Sequence, residues 1–128
     1  SKIIYNLIDQ KSKLGNFNFN YSCDKNVKWE EVNDEIKINY YRIVQESLQN
    51  IIKYANASFV EVEVKLVNDF LNLKISDNGD GFKNEKLVKK GIGLKNMESR
   101  TKKLNGIFKI NTIINKGTII FVSSPLVI

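Results

Sequence analysis

Two stretches of strict alternation constrain this chain more than anything else in it. Val60, Val62, Val64 and Leu66 alternate with Glu61, Glu63 and Lys65, and Leu71, Leu73 and Ile75 alternate with Asn72, Lys74 and Ser76. Successive strand side chains leave on opposite faces, so each stretch has one apolar and one wet face. Asn68-Asp69 between them turns the chain, which predicts an antiparallel hairpin. Its apolar face needs a cover, and the cover stands just upstream. Over 40–55, Tyr41, Val44, Leu48, Ile51, Ile52 and Ala55 fall on one stripe at about 100° per residue. Arg42, Glu46, Asn50 and Lys53 fall on the opposite stripe. Asn33, Asp34 and Glu35 supply a cap and an acidic first turn that complements the helix dipole, and the helix is expected to end near Asn56.

The remaining elements follow the same two periods. Ile4, Leu7 and Ile8 predict a first helix ending near Gly15. Phe17, Phe19 and Tyr21 alternate with Asn18, Asn20 and Ser22 as a half-buried strand. Trp29 sits in a polar connection and is expected to seat it on the core. Leu94, Met97, Thr101 and Leu104 mark a second long helix, stopped by Asn105-Gly106. Strands from Ile107 to Ile114 and from Thr118 to Val122 are joined by Asn115-Lys116-Gly117. No repeat or linker interrupts the pattern. It predicts an α+β two-layer sandwich, a mixed and mainly antiparallel sheet with helices on one face.

Composition excludes several chemistries. The chain has 128 residues, 42% hydrophobic and 27% charged, enough for one globular core. It has no histidine, which removes Ser-His and Cys-His catalysis and any phosphohistidine on this chain. With one cysteine, Cys23, there is no internal disulfide, and a structural zinc site is improbable. A single cysteine fits a reducing compartment, hence a cytoplasmic location. No apolar run approaches the roughly 20 residues that span a membrane. The net charge of +6 favours a polyanion without naming one. A nucleic-acid binder ranks last, since neither a recognition helix nor an aromatic-basic surface pattern is present. The chain opens Ser1-Lys2 directly on a helical pattern with no initiator Met, which reads as a domain of a longer protein.

Three stretches bear on chemistry. Glu46, Asn50 and Lys53 form a row of acid, amide and base that could hold a hydrated divalent ion and phosphate oxygens, or could be an ordinary solvated helix face. Strand parity puts Asp77 on the apolar face with Leu71, Leu73 and Ile75. A carboxylate aimed at a core must find donors or lose its charge, and the exocyclic amine of a purine would be one such donor. Asp77 also opens the turn Asp77-Asn78-Gly79-Asp80-Gly81, where Asp and Gly are expected anyway. Gly91-Ile92-Gly93 enters a helix beginning at Leu94, where free N–H groups can cradle phosphate. Lys83, Lys86, Lys89, Lys90 and Lys95 surround it, as a phosphate lid or as a solvated loop. The stretch is neither a Walker loop nor a dinucleotide fingerprint.

Together these pieces are specific. Glu46-x-x-x-Asn50-x-x-Lys53, Asp77-Asn78-Gly79-Asp80-Gly81-Phe82, Gly91-Ile92-Gly93-Leu94-Lys95-Asn96-Met97-x-x-Arg100 and Gly117-Thr118, in that order, resemble the ATP-binding domain of sensor histidine kinases. The wording is similar to the branch containing nitrate sensors and membrane-fluidity thermosensors. The resemblance implies a Bergerat-type sandwich and Mg-ATP bound between the long helix and a lid. Carried over by motif, Asn50 holds Mg²⁺ and Glu46 acts at the same edge through water, as the catalytic pair. Lys53 meets phosphate, with Tyr54 beside it where this branch commonly has His. Asp77 accepts from the adenine amine, and Gly79 and Gly81 give the base room. Gly91 and Gly93 hinge the lid and offer N–H groups, Leu94 opens the following helix, and Thr118 helps fix the adenine through water. The implied reaction is transfer of the ATP γ-phosphoryl to a histidine outside this chain. The implied partners are ATP or ADP, a histidine-bearing dimerisation domain, and a response regulator; no nucleic acid or membrane contact is expected. Residues 1–128 then form one domain, with 1–14 a candidate tail of the dimerisation segment. Competing readings are a degenerate, nucleotide-sensing module, favoured by Tyr54, and an anti-sigma-type serine kinase on the same fold.

Overall fold

The computed structural model describes residues 2–81 and 93–126. Helix α1 (Lys2–Gly15) sends Ile4, Leu7 and Ile8 into the core and ends where Asn16 turns left-handed at φ 55°. Strand β1 (Asn18–Cys23) follows, and Phe17, just ahead of it, is buried. A short 3-10 turn (Trp29–Glu31) packs Trp29 against the core, and the indole N–H donates to Cys23 Sγ at 3.4 Å. The long helix α2 (Asp34–Asn50) starts at Asn33, whose side chain accepts from the Glu35 N–H at 2.7 Å. One π turn (Ile51–Ala55) continues it, and Asn56 ends it at φ 52°.

Strands β2 (Phe59–Val67) and β3 (Phe70–Asp77) form the expected hairpin. Asn68 and Asp69 both have positive φ, the twist that a two-residue hairpin turn requires. Helix α3 (Leu94–Lys103) buries Met97 and Thr101, and the Gly106 N–H closes its end on the Thr101 carbonyl. Strands β4 (Ile107–Ile113) and β5 (Gly117–Pro125) complete the sheet.

Among the described residues the sheet has five strands in the order β1-β2-β3-β5-β4. β1 runs parallel to β2, because α2 serves as the crossover between them; the other pairs are antiparallel. Val60, Val62, Val64, Leu71, Leu73, Ile75, Ile120 and Val122 are buried on one face, and α1, α2 and α3 each contribute to that core. Glu61, Glu63, Asn72 and Lys74 stand on the other face. This is the mixed α+β sandwich that the pattern predicts.

Two details differ from the sequence reading. β5 runs three residues beyond Val122, because it lies between β3 and β4 and pairs with β3 as far as Pro125. The buried face of α2 is also rotated from the expected stripe. Ile36, Tyr40, Ile43, Val44, Leu48, Ile51 and Ala55 are buried, while Tyr41 and Ile52 are only partly so. Tyr40 can go inside because its hydroxyl finds partners there, the Leu71 carbonyl and Ser124 Oγ, each at 2.7 Å.

Candidate functional site

The expected polar row on α2 is split by its neighbours. Arg42 and Lys53 are exposed, Glu46 is half-buried, and Asn50 is 8% exposed. Helix α3 packs along this side of α2. Ser47 Oγ lies 3.3 Å from Met97 Sδ, and Arg100 donates to Asn39 Oδ1 at 3.2 Å. Residue numbers rise on one helix as they fall on the other, so the two helices run antiparallel. The N-terminus of α3 therefore comes to the part of α2 that carries Glu46. A Cβ built on Gly93 would meet the flexible end of the Glu46 side chain, which can move aside, and Gly93 has φ 74°, the backbone conformation that favours glycine. The partial positive charge of a helix N-terminus thus faces the carboxylate.

The π turn falls on the next motif residues. Its i→i+5 bonding advances less than 100° per residue, so an α-helical count misplaces Lys53 and Tyr54 relative to Asn50. Lys53 is exposed, and Tyr54 is half-buried and packs on the edge of the core.

Asp77 ends β3 directly opposite Thr118 of β5. Its Oδ1 accepts from the Gly79 N–H at 2.8 Å, and the Thr118 backbone N–H also donates to the carboxylate. Burial raises the Asp77 pKa above the usual aspartate value, and these two bonds offset only part of the rise. The Thr118 side chain is buried, and its hydroxyl bonds to Thr112 Oγ1 at 3.0 Å.

The following loop is stitched down on both sides. The Asp80 N–H donates to the Ala55 carbonyl at 2.7 Å, and the Asn115 N–H donates to the Asp80 carbonyl at 2.6 Å. A Cβ on Gly79 would collide with the Ala55 carbonyl, and one on Gly81 with the Ile113 carbonyl. The missing side chains thus admit neighbouring backbone. Asn78, quoted in the motif without a role, anchors the loop. Its Oδ1 accepts from the Ser58 and Phe59 N–H groups at 2.9 Å, and its Nδ2 donates to Ser58 Oγ at 2.8 Å. A short amide in a Gly-flanked loop is the sequence signal for such an anchor.

Along α2 the structure therefore brings together Asp77 and Thr118 beside Ala55, then Asn50, then Glu46 with Gly93 and the half-buried Leu94. Gly91 and the lysines at 83, 86, 89 and 90 lie outside the described residues. Among the described residues, no group of three or more His, Cys, Asp or Glu could hold a metal ion. A groove of about 790 Å³ opens elsewhere, between Ile3 of α1 and Ile38 of α2; Arg42 of the expected polar row lines it, but Glu46, Asn50, Lys53 and Asp77 do not.

A family model described as the histidine kinase-, DNA gyrase B- and HSP90-like ATPase matches residues 34–128. The oxygen sensor histidine kinase NreB of Staphylococcus carnosus is 35% identical over 112 residues, covering 87% of this chain and 32% of that protein. The sensor histidine kinase LiaS of Bacillus subtilis is 35% identical over 91 residues, covering 71% and 25%. The chain spans about a quarter to a third of the curated relatives it matches. The blue-light activated histidine kinase EL346 of Erythrobacter litoralis shares the fold, with a TM-score of 0.80 at 18% identity over 96% of this chain and 40% of that one. The catalytic domain of the histidine kinase ThkA does so too, with a TM-score of 0.74 at 15% identity over 97% of this chain and 88% of that one.

Proposed function

The chain belongs to the histidine kinase-, DNA gyrase B- and HSP90-like ATPase family, and from that premise we propose that it binds Mg-ATP and passes the γ-phosphoryl to a histidine outside this chain. It would serve as the catalytic domain of a two-component sensor kinase in the cytoplasm, working with a histidine-bearing dimerisation segment and a response regulator. Residues 1–128 would act as one domain, since Ile4, Leu7 and Ile8 of α1 share the common core.

The observation that carries the reading is the site's polarity along α2. A partly buried carboxylate, Asp77, marks one end, and the α3 N-terminus over Glu46 marks the other. Ala55, against the Asp77 loop, and Glu46, against Gly93, lie on one continuous helix, so the two ends of the site are joined along α2 and its π turn. Asp77 would accept from the adenine amine, which removes the cost of its burial. The glycines at 79 and 81 let the loop lie flush against Ala55 and Ile113, which fixes the carboxylate's aim. Thr118 would complete the adenine contacts through water. Asn50, Lys53, Tyr54 and the N–H groups at Gly91 and Gly93 would bind the phosphate end.

The donor set fits a magnesium ion that keeps most of its waters. Mg²⁺ in phosphoryl-transfer sites commonly takes one or two protein oxygens and substrate phosphates. Asn50 would supply the amide oxygen, and Glu46 a carboxylate reached through water. The ion neutralises charge on the transferring phosphoryl group when bound. The chain's own contribution is positioning and exclusion of water, not covalent chemistry.

A melting experiment tests the reading. Mg-ATP or ADP at about 100 times its dissociation constant should stabilise the domain by roughly 2.7 kcal/mol. A curve unmoved by millimolar nucleotide with magnesium present would count against it.

A further inference from the structure

The functional reading leaves the end of the third motif unused. Met97 and Arg100 lie about one and two helical turns into α3. Their partners lie on α2. Arg100 Nη1 donates to Asn39 Oδ1 at 3.2 Å. Asn39 is 5% exposed, and its Nδ2 donates to the Glu35 carbonyl at 2.8 Å, which turns the amide oxygen toward Arg100. Four residues on from Ile43, Ser47 shares its hydroxyl between the Ile43 carbonyl at 2.8 Å and Met97 Sδ at 3.3 Å. Met97 is fully buried, and Thr101 Oγ1 donates to its carbonyl at 2.8 Å.

These contacts fix how far α3 slides and turns against α2. Met97 alone is an apolar plug that a helix can rock about. Arg100 and Asn39 add a directional tie one turn beyond the plug. Two attachment points define an axis, and one does not. The axis decides where the first turn of α3, with Gly93 against Glu46, stands over the phosphate end of the site. Asn39 lies seven residues before Glu46, about 10 Å along the helix, too far for Arg100 to neutralise phosphate by direct contact.

We infer that Asn39 and Arg100 form a positioning pair that holds the N-terminus of α3 in place for the nucleotide's phosphates. This rests on the functional reading above. It makes Arg100 a positioning residue, not a catalytic one. The tie is partly exposed and peripheral to the core, so its loss should shift the helix without unfolding the sheet.

Asn39→Ala, Arg100→Ala and the double variant test it in the chain as described. Each single variant should weaken Mg-ATP binding by about tenfold, the scale of one hydrogen bond to a charged group. Adenosine, which has no phosphates, should bind each variant within about twofold of the parent. The double variant should be no weaker than either single one, since both remove the same tie. Arg100→Lys, which keeps a cation able to reach Asn39, should recover part of the loss. Without nucleotide, both variants should speed hydrogen exchange at the Met97 amide, which bonds the Gly93 carbonyl at 3.0 Å, while β2 and β3 amides hold. ATP affinity unchanged in both variants would overturn the inference. So would a parallel loss of adenosine and ATP binding, which marks a merely structural pair. A loss with Arg100→Ala but none with Asn39→Ala would mean that Arg100 meets the nucleotide itself. A parent chain that binds neither ligand, with Met97 exchange still accelerated in the variants, would remove the functional reading while leaving the tie intact as a helix clamp only.

Discussion

Asp77 sits at odds with its surroundings in the chain alone, and that has a measurable sign. Burial raises its folded pKa above the unfolded value, so the ionised form costs stability once the pH exceeds the usual aspartate range. Asp77→Asn should therefore raise the denaturation midpoint at pH 7, with the advantage fading as the pH falls to and below about 4, as the carboxyl becomes protonated in the unfolded state as well. The same change should weaken ATP by roughly 1–3 kcal/mol, because the new NH₂ faces the adenine amine. Denaturant curves at the two pH values and a binding titration check both halves; a variant less stable at both pH values would refute the first. Tyr40 shows the same sign at alkaline pH. Burial pushes its pKa up to about 12, with its bonds to Ser124 opposing the rise. Its contribution is fully present below pH 10 and is lost as the pH rises toward 12, a fall of roughly 2–3 kcal/mol. Tyr40→Phe should flatten that part of the stability profile. At this scale, strand parity sufficed to aim Asp77 at the core. It could not choose between Tyr40 and Tyr41, since both are apolar in body and only the partners at Leu71 and Ser124 decide. Asn39 and Arg100 were equally silent, because 61 residues separate them in the chain.

Elements were legible where one period ran without interruption. The hairpin of β2 and β3 declares itself by alternation, and Asn68-Asp69 supplies the only conformations that turn it tightly. The far end of β5 does not declare itself. Ser123, Ser124 and Pro125 have no apolar alternation, and their strand conformation comes from pairing with β3. The π turn after α2 is similarly invisible, since apolar spacing over five residues cannot separate one extra residue per turn from an ordinary helix end. Its consequence appears in the contact between Ala55 and the Gly79 loop. Because a Cβ at Gly79 would meet a carbonyl held by the Asp80 N–H, neither backbone can retreat cheaply. Gly79→Ala should cost about 1–3 kcal/mol of stability, the usual scale of overpacking. It should also lower ATP affinity, since Gly79 donates to Asp77. A urea midpoint within experimental error of the parent would show that the loop yields freely and does not set the carboxylate's position.

On the scale of the whole molecule, the decisive fact is the absence of histidine from the sequence. The proposed transfer to histidine therefore requires an acceptor beyond this chain. The isolated chain should bind ATP yet show no acid-labile label of its own with γ-labelled nucleotide. Given a histidine-bearing dimerisation segment as a separate molecule, it should label that segment slowly, because tethering ordinarily supplies an effective concentration near the millimolar range. Asn50→Ala should lower the rate by roughly two orders of magnitude or more, since misplacing the ion forfeits several kcal/mol of charge stabilisation. Tyr54 supplies the discriminating variant. A phenol carries no positive charge at neutral pH, whereas an imidazole can carry one beside Lys53. If Tyr54 limits phosphoryl transfer, Tyr54→His should raise the labelling rate several-fold with little change in ATP affinity. If its role is packing against the core, the same variant should leave the rate unchanged and lower the melting temperature. Acid-stable label on the partner would instead point to a serine acceptor. ATP binding with no label, in the parent and in Tyr54→His alike, would make the domain a nucleotide sensor.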